Sequence, residues 1–172
     1  MVYIAARIIC VAQINKSHFA LTEQDKRNYT LSIDQHKIGK LCDTIYYKKH
    51  YGVIWINVKL FNHSNDTLNY INMTCGENEI YTTSNKDMIN HGWACEYNVP
   101  HEVKLPPHRS SALSMPIFIA KNGQNNYSFK IGMYICKYRN TNDMRAFEEF
   151  LIHQKFPSNC LIWSNEVNVA KR

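Results

Sequence analysis

No Cys-x-x-Cys pair occurs in this 172-residue chain, although it carries six cysteines, at 10, 42, 75, 95, 136 and 160. Zinc ribbons and thioredoxin-type redox sites need that close spacing, so both are disfavoured. Glycine is scarce at six residues, and neither a glycine-rich phosphate loop nor an EF-hand pattern is present. A G-x-S-x-G elbow and a papain-type cysteine context are missing too, which removes two familiar hydrolase signatures. No run approaches the ~20 apolar residues of a membrane span. Basic residues outnumber acidic ones, giving a net charge of +6 and a pI near 9.0. They are dispersed, without an Arg-rich helix or an RNA-binding aromatic signature, so a nucleic-acid partner is not expected.

Tyrosine (11) and asparagine (19) are abundant instead, and many aromatic and branched residues with few alanines favour strands. The length fits one domain. Residues 1–12 read as a secretion signal of irregular form, with Arg7 inside the apolar stretch and a small-residue cleavage site at Cys10-Val11-Ala12. An N-terminal strand is the alternative. Residues 13–172 then form a single domain.

Within it, 29–34 alternates as a strand, 35–52 is a mixed connection ending in a turn, and 53–61 is the clearest strand. In that strand Ile54, Ile56, Val58 and Leu60 share one apolar face, which must be core. Residues 62–66 bend the chain, since Asn, Ser and Asp side chains bond nearby backbone, and 67–75 resumes as a strand. Short strands are expected at 79–82, 102–105 and 111–119, the last with Pro116 demoting part of it to an edge. Asn122-Gly123 is the strongest two-residue hairpin signal, followed by a long strand over 127–138 in which Tyr127, Phe129, Ile131, Met133, Ile135 and Lys137 share a phase. One helix is expected over 143–155, with Met144, Phe147, Phe150 and Leu151 at helical spacing, and 161–170 closes the chain as a strand. About eight short strands with turn punctuation indicate an all-β, immunoglobulin-like antiparallel sandwich with one short late helix.

Three constellations bear on function. His91, His101 and His108, with Cys95 among them, offer metal donors, though their spacing matches no familiar site. Tyr46, Tyr47, Tyr51, Trp93 and Tyr97 fall in connections, where a loop end could grip a peptide or sugar; their alternative role is to plug the ends of the core. Six Asn-x-Ser/Thr triplets begin at Asn15, Asn28, Asn62, Asn65, Asn72 and Asn126, several at turn positions that favour these residues for backbone reasons. Of the cysteines, Cys75 and Cys95 are the expected disulfide. They flank 19 residues of turn character, and closing such a loop contributes about 3 kcal/mol. The pairing of Cys42, Cys136 and Cys160 is left open.

The run VKLFNHSNDTLNYINMTC (58–75), then 81–86, Gly92-Trp93-Ala94-Cys95, Leu105-Pro106-Pro107-His108, Ile131-Gly132-Met133 and 162–167 together resemble a family of small secreted proteins from Bacteroidetes-type bacteria. The resemblance spans about residues 50 to 169. It implies export through a signal peptide, an immunoglobulin-like sandwich, a cysteine pair at Cys75 and Cys95, and no assigned activity. The expectation is thus a periplasmic or extracellular, non-enzymatic binding or structural accessory module for a protein, peptide or glycan, with no cofactor. The alternatives are a metal-dependent hydrolase using the 91–108 histidine loop and a cytoplasmic interaction protein.

Overall fold

The computed structural model describes residues 19–46, 49–90, 98–120, 126–153 and 156–170. The leader expected over 1–12 lies outside these. The described chain is mostly β, with antiparallel sheets and two α-helices.

The first sheet is built on β3 (Lys49–Asn62), whose alternate residues Ile54, Ile56, Val58, Leu60 and Asn62 are all buried. One edge of β3 carries both β1 (Tyr29–Ile33) and β2 (Cys42–Tyr46). The other pairs with β8 (Ser110–Ala120), which β6 (Met88–Asn90) then flanks. Pro116 pairs opposite Trp55 on the β3 side. The expected connection over 35–52 is in part this β2–β3 pairing. The short first-sheet extension is largely exposed, so it lacks the apolar alternation that would mark it.

The second sheet runs along the chain from 126 to 138. β9 (Asn126–Phe129) pairs with β12 (Val167–Ala170), and β10 (Ile131–Tyr134) pairs with β11 (Leu161–Trp163) on one edge and β5 (Tyr81–Thr83) on the other. Beyond β10 the same chain joins β4 (Leu68–Met73) through Ile71 N to Cys136 O (2.9 Å) and Tyr138 N to Asn69 O (2.9 Å). β7 (Pro100–Leu105) completes that edge beside β4. Residues 77–80 are a 3-10 turn, so the strand expected over 79–82 begins only at Tyr81.

The single strands expected over 127–138 and 161–170 are each broken, and one device breaks both. The β10–β11 register pairs Gly132 with Trp163, whereas the β9–β12 register pairs Phe129 with Val167. Two residues, 130 and 131, thus oppose three, 164 to 166, which is a one-residue β-bulge. Ser164 holds it by donating its N–H to Ile131 O (2.8 Å) and accepting Ile131 N at its Oγ (3.0 Å). Asn165 turns outward to β1, accepting Ile33 N (2.8 Å) and donating to Ile33 O (3.4 Å). Its side-chain amide substitutes for a strand backbone and stitches the two sheets together. The strands flanking Asn122-Gly123 also do not form a hairpin with each other. β8 stays in the first sheet and β9 passes to the second, so this connection crosses between sheets.

Among the described residues two helices, not one, accompany the sheets. α1 (Glu23–Asn28) opens on a capping box in which Thr22 and Asp25 bond each other's backbone N–H groups. α2 (Thr141–Ile152) starts two residues before its expected position because Asn140 caps it, with Asp143 accepting Arg139 N (2.6 Å) and Asn140 N (3.1 Å). Phe147 and Phe150 meet the aromatic rings of Phe156 and Phe19. Both sheets and α2 contribute to one hydrophobic core.

Candidate functional site

Most of the sequence-expected binding aromatics fall outside the described residues. These are Tyr47, Trp93 and Tyr97, together with His91 and Cys95; of Tyr46 only the backbone, the last residue of β2, is described. Tyr51 is not a loop residue. It lies within β3, pairs with Thr44 and Ala120, and its ring meets Phe118 edge-on at 6.1 Å, which makes it part of sheet packing. His101 and His108 sit toward opposite ends of the β7 arm. His101 pairs with Asn72 near the strand start, with its Nδ1 buried and unpartnered, while His108 lies beyond the other end and contacts Asn65 Oδ1 at 3.1 Å. The strand from His101 to Leu105 alone spans about 13 Å, and His108 sits in the turn beyond it beside Asn65, so one ion does not take both.

Among the described residues the free thiols are Cys42, Cys136 and Cys160, and Cys75 is not one of them. Around it the chain returning from the 91–97 stretch is clamped. Asn98 Oδ1 accepts the N–H groups of Cys75 (3.1 Å) and Gly76 (2.9 Å), and its Nδ2 donates to Glu79 Oε1 (2.8 Å). Thr74 N donates to Val99 O (3.0 Å) and Val99 N to Thr74 Oγ1 (3.1 Å). A Cβ on Gly76 would stand 2.5 Å from Asn98 Nδ2 and 2.6 Å from Glu79 Oε1, so only glycine admits this clamp. Burial pushes the Glu79 carboxyl up, against the lowering effect of the Asn98 bond.

The sugar-acceptor triplet at Asn62 has a structural use. Its side chain is fully buried, donating to Asp66 O (2.8 Å), Leu105 O (3.0 Å) and Pro106 O (3.2 Å) and accepting Ser64 N (3.0 Å) and Ser64 Oγ (2.7 Å). The nitrogen a sugar would modify is therefore committed. Asn72, also buried, has its Oδ1 bonded to Met73 N (2.8 Å).

A polar concavity lies elsewhere among the described residues. A cleft of about 370 Å³ opens between α1, the turn after β3 and residues 137–139 past β10. Its walls are Thr22, Gln24, Asp25 and Asn28 from the helix, Ser64, Asp66 and Thr67 from the turn, and Lys137, Tyr138 and Arg139 opposite, with Tyr29, Leu68 and Asn69 as its base. His63 N donates to Asn28 O (2.7 Å), which fixes the helix end against the turn. Lys137 is ion-paired and hydrogen-bonded to Asp25 and lies over the Tyr29 ring at 5.6 Å. Burial would raise the Asp25 carboxyl, but the bonds from Lys137 and Thr22 outweigh it and hold it below the ordinary range. Burial pushes the Tyr29 phenol up, so it stays a neutral donor.

Sequence reasoning did not assemble this cleft, yet two signals pointed to it. Lys137 continues a phase that is otherwise wholly buried, Tyr127 through Ile135, and a cation at such a position needs a partner. Thr22-Glu23-Gln24-Asp25 is a helix start, which places that partner. The chain matches no protein-family model, and no curated protein is significantly similar to it.

Proposed function

We propose that this chain is an exported, non-enzymatic binding module of the immunoglobulin-like class, and that its cleft takes a neutral, hydroxyl-rich ligand of the saccharide class. The observation that carries the ligand class is the make-up of the cleft walls. Asp25 and Lys137 cancel one another, and Asp66 and Arg139 add one charge of each sign. What remains is a crowd of amides and hydroxyls with the Tyr138 ring beside them. Such a surface offers many directional hydrogen bonds and no net charge, which suits a sugar better than an anion. A peptide side chain would want an apolar pocket, and Leu68 is the one aliphatic wall residue and is itself buried.

The strand neighbours support the immunoglobulin-like assignment. β1, β3 and β8 lie side by side in one sheet, and β4, the β9–β10 chain and the β11–β12 chain in the other. That is the A-B-E and C-F-G order of an immunoglobulin domain. Export is supported by a Cys75–Cys95 bridge, itself part of this proposal: Cys75 is not a free thiol, and Asn98, three residues past Cys95, is hydrogen-bonded to the Cys75 backbone.

Calorimetric titration with cellotetraose, maltotetraose and chitotetraose tests the ligand class. Binding to at least one is expected, weakened about tenfold by Asp66→Asn or Tyr138→Ala, the loss of about one good hydrogen bond or ring contact. Equal affinity in both variants would remove the cleft from the account.

A further inference from the structure

We infer that Cys136 and Cys160 form a second disulfide when this chain folds in an oxidising compartment, and that this bridge anchors the wall of the cleft that carries Lys137. The inference rests on the export reading for its occurrence in the cell, though the chemistry itself can be tested without it.

The two residues are far apart in sequence and adjacent in the fold. Ile135 N donates to Cys160 O (2.8 Å), continuing the β10–β11 ladder one step past Tyr134 and Leu161. Both side chains are fully buried in the shared core, and Cys160 lies close enough to act on the Cys136 thiol. Cys160 Sγ also donates to Pro157 O at 3.0 Å. In this structure both are thiols. No other free thiol of the described residues competes, because Cys42 is exposed on β2, with its own contact to Lys40 O.

Burial pushes the Cys136 thiol well up, and its neighbours Cys160 and Asp143 add to that. A thiol is the poor nucleophile and its thiolate the good one, so the closed core does not react. Oxidation therefore belongs to the folding chain, before the core seals. One thiolate attacks a disulfide of small-molecule or protein origin, releasing one thiol and forming a mixed disulfide. The second thiolate displaces the remaining oxidant thiol. The Cys136–Cys160 bond forms, two protons leave the cysteines, and the oxidant disulfide is reduced to two thiols.

The bond closes a loop of the 23 residues from 137 to 159, which includes all of α2. Its first residue is Lys137. At the other end Asn159 accepts Leu21 N (3.0 Å), the residue that leads into the α1 capping box. Both sides of the Asp25–Lys137 pair are thus attached next to the proposed bond.

The test is refolding of the denatured, reduced full chain in reduced and oxidised glutathione, followed by alkylation, tryptic digestion without reductant and mass analysis. The expected product joins peptides 131–137 and 156–171, two hydrogens lighter than the separate reduced peptides. A Cys136→Ser chain treated alike should yield peptide 156–171 with Cys160 alkylated. Native reduced protein, given oxidised glutathione without unfolding, should form the linked pair at least tenfold more slowly than the refolding chain. Alkylation of both residues in the refolded wild type, or linkage of either to a different cysteine, would overturn the inference. Export is read separately, from the N-terminal sequence of protein recovered from cells, so a failure there leaves the refolding result standing.

Discussion

Asn62 shows how far a single residue can depart from its apparent motif. As the first residue of an Asn-x-Ser triplet it invites a sugar, but it also continues the inward phase of Ile54, Ile56, Val58 and Leu60. That phase was readable, and its extension by one step places an amide in the core, where it must be satisfied internally. Asn62→Asp replaces a donor facing three carbonyls with a carboxylate and should cost about 3 kcal/mol by urea unfolding. Lys137 obeys the same logic. With Asp25 held below its ordinary value of 3.8, the unfolded chain binds the proton more tightly than the folded one. The pair's stabilisation is then full above that range and lost as pH falls through the folded value. Lys137→Met should destabilise by about 2 kcal/mol at pH 7, discounted for partial exposure, and the gap to wild type should shrink as the pH is taken below 3.8. A gap that is constant with pH would show that Lys137 acts by packing alone.

Elements were legible where one face is buried and the alternation is long, as in β3. They were illegible where a strand changes partners. The chain over 126–138 keeps one unbroken apolar phase while its neighbours switch from β12 to β11, because the extra residue that causes the switch, Asn165, lies on the partner strand. Nothing in the local pattern of 127–138 records it. Similarly, Asn122-Gly123 carries hairpin chemistry but joins strands of different sheets, since the two edges of β8 are already paired with β3 and β6. Deleting Asn165 would leave two residues opposite two, so the Gly132–Trp163 and Phe129–Val167 pairings and the inward phase of Val167 and Val169 would be kept. The expected loss is about 2 kcal/mol, from the hydrogen bonds between its side-chain amide and Ile33, seen as a lowered unfolding midpoint. A deletion variant as stable as wild type would mean that the Asn165 link to β1 contributes nothing to stability.

At the scale of the whole molecule, the account is of a two-sheet scaffold that presents a polar cleft at one end of β4 and the Cys75 clamp at the other. The cleft draws on three stretches, 22–29, 64–69 and 137–139, none of which is distinctive alone; long-range pairings such as Tyr29 with Asn62 and Tyr70 with Lys137 bring them together. That is why the sequence pointed instead to the aromatic connections, where residue type by itself suggests binding. No helix among the described residues is long and apolar enough to cross a membrane. Amide chemical-shift mapping of the full chain, titrated with the three tetrasaccharides, decides whether this cleft is a saccharide site. Saturable shifts are expected, confined to Gln24, Asn28, Asp66, Thr67, Asn69, Tyr138 and their neighbours. Shifts centred on another surface, or none with any of the three sugars, would contradict a saccharide site there.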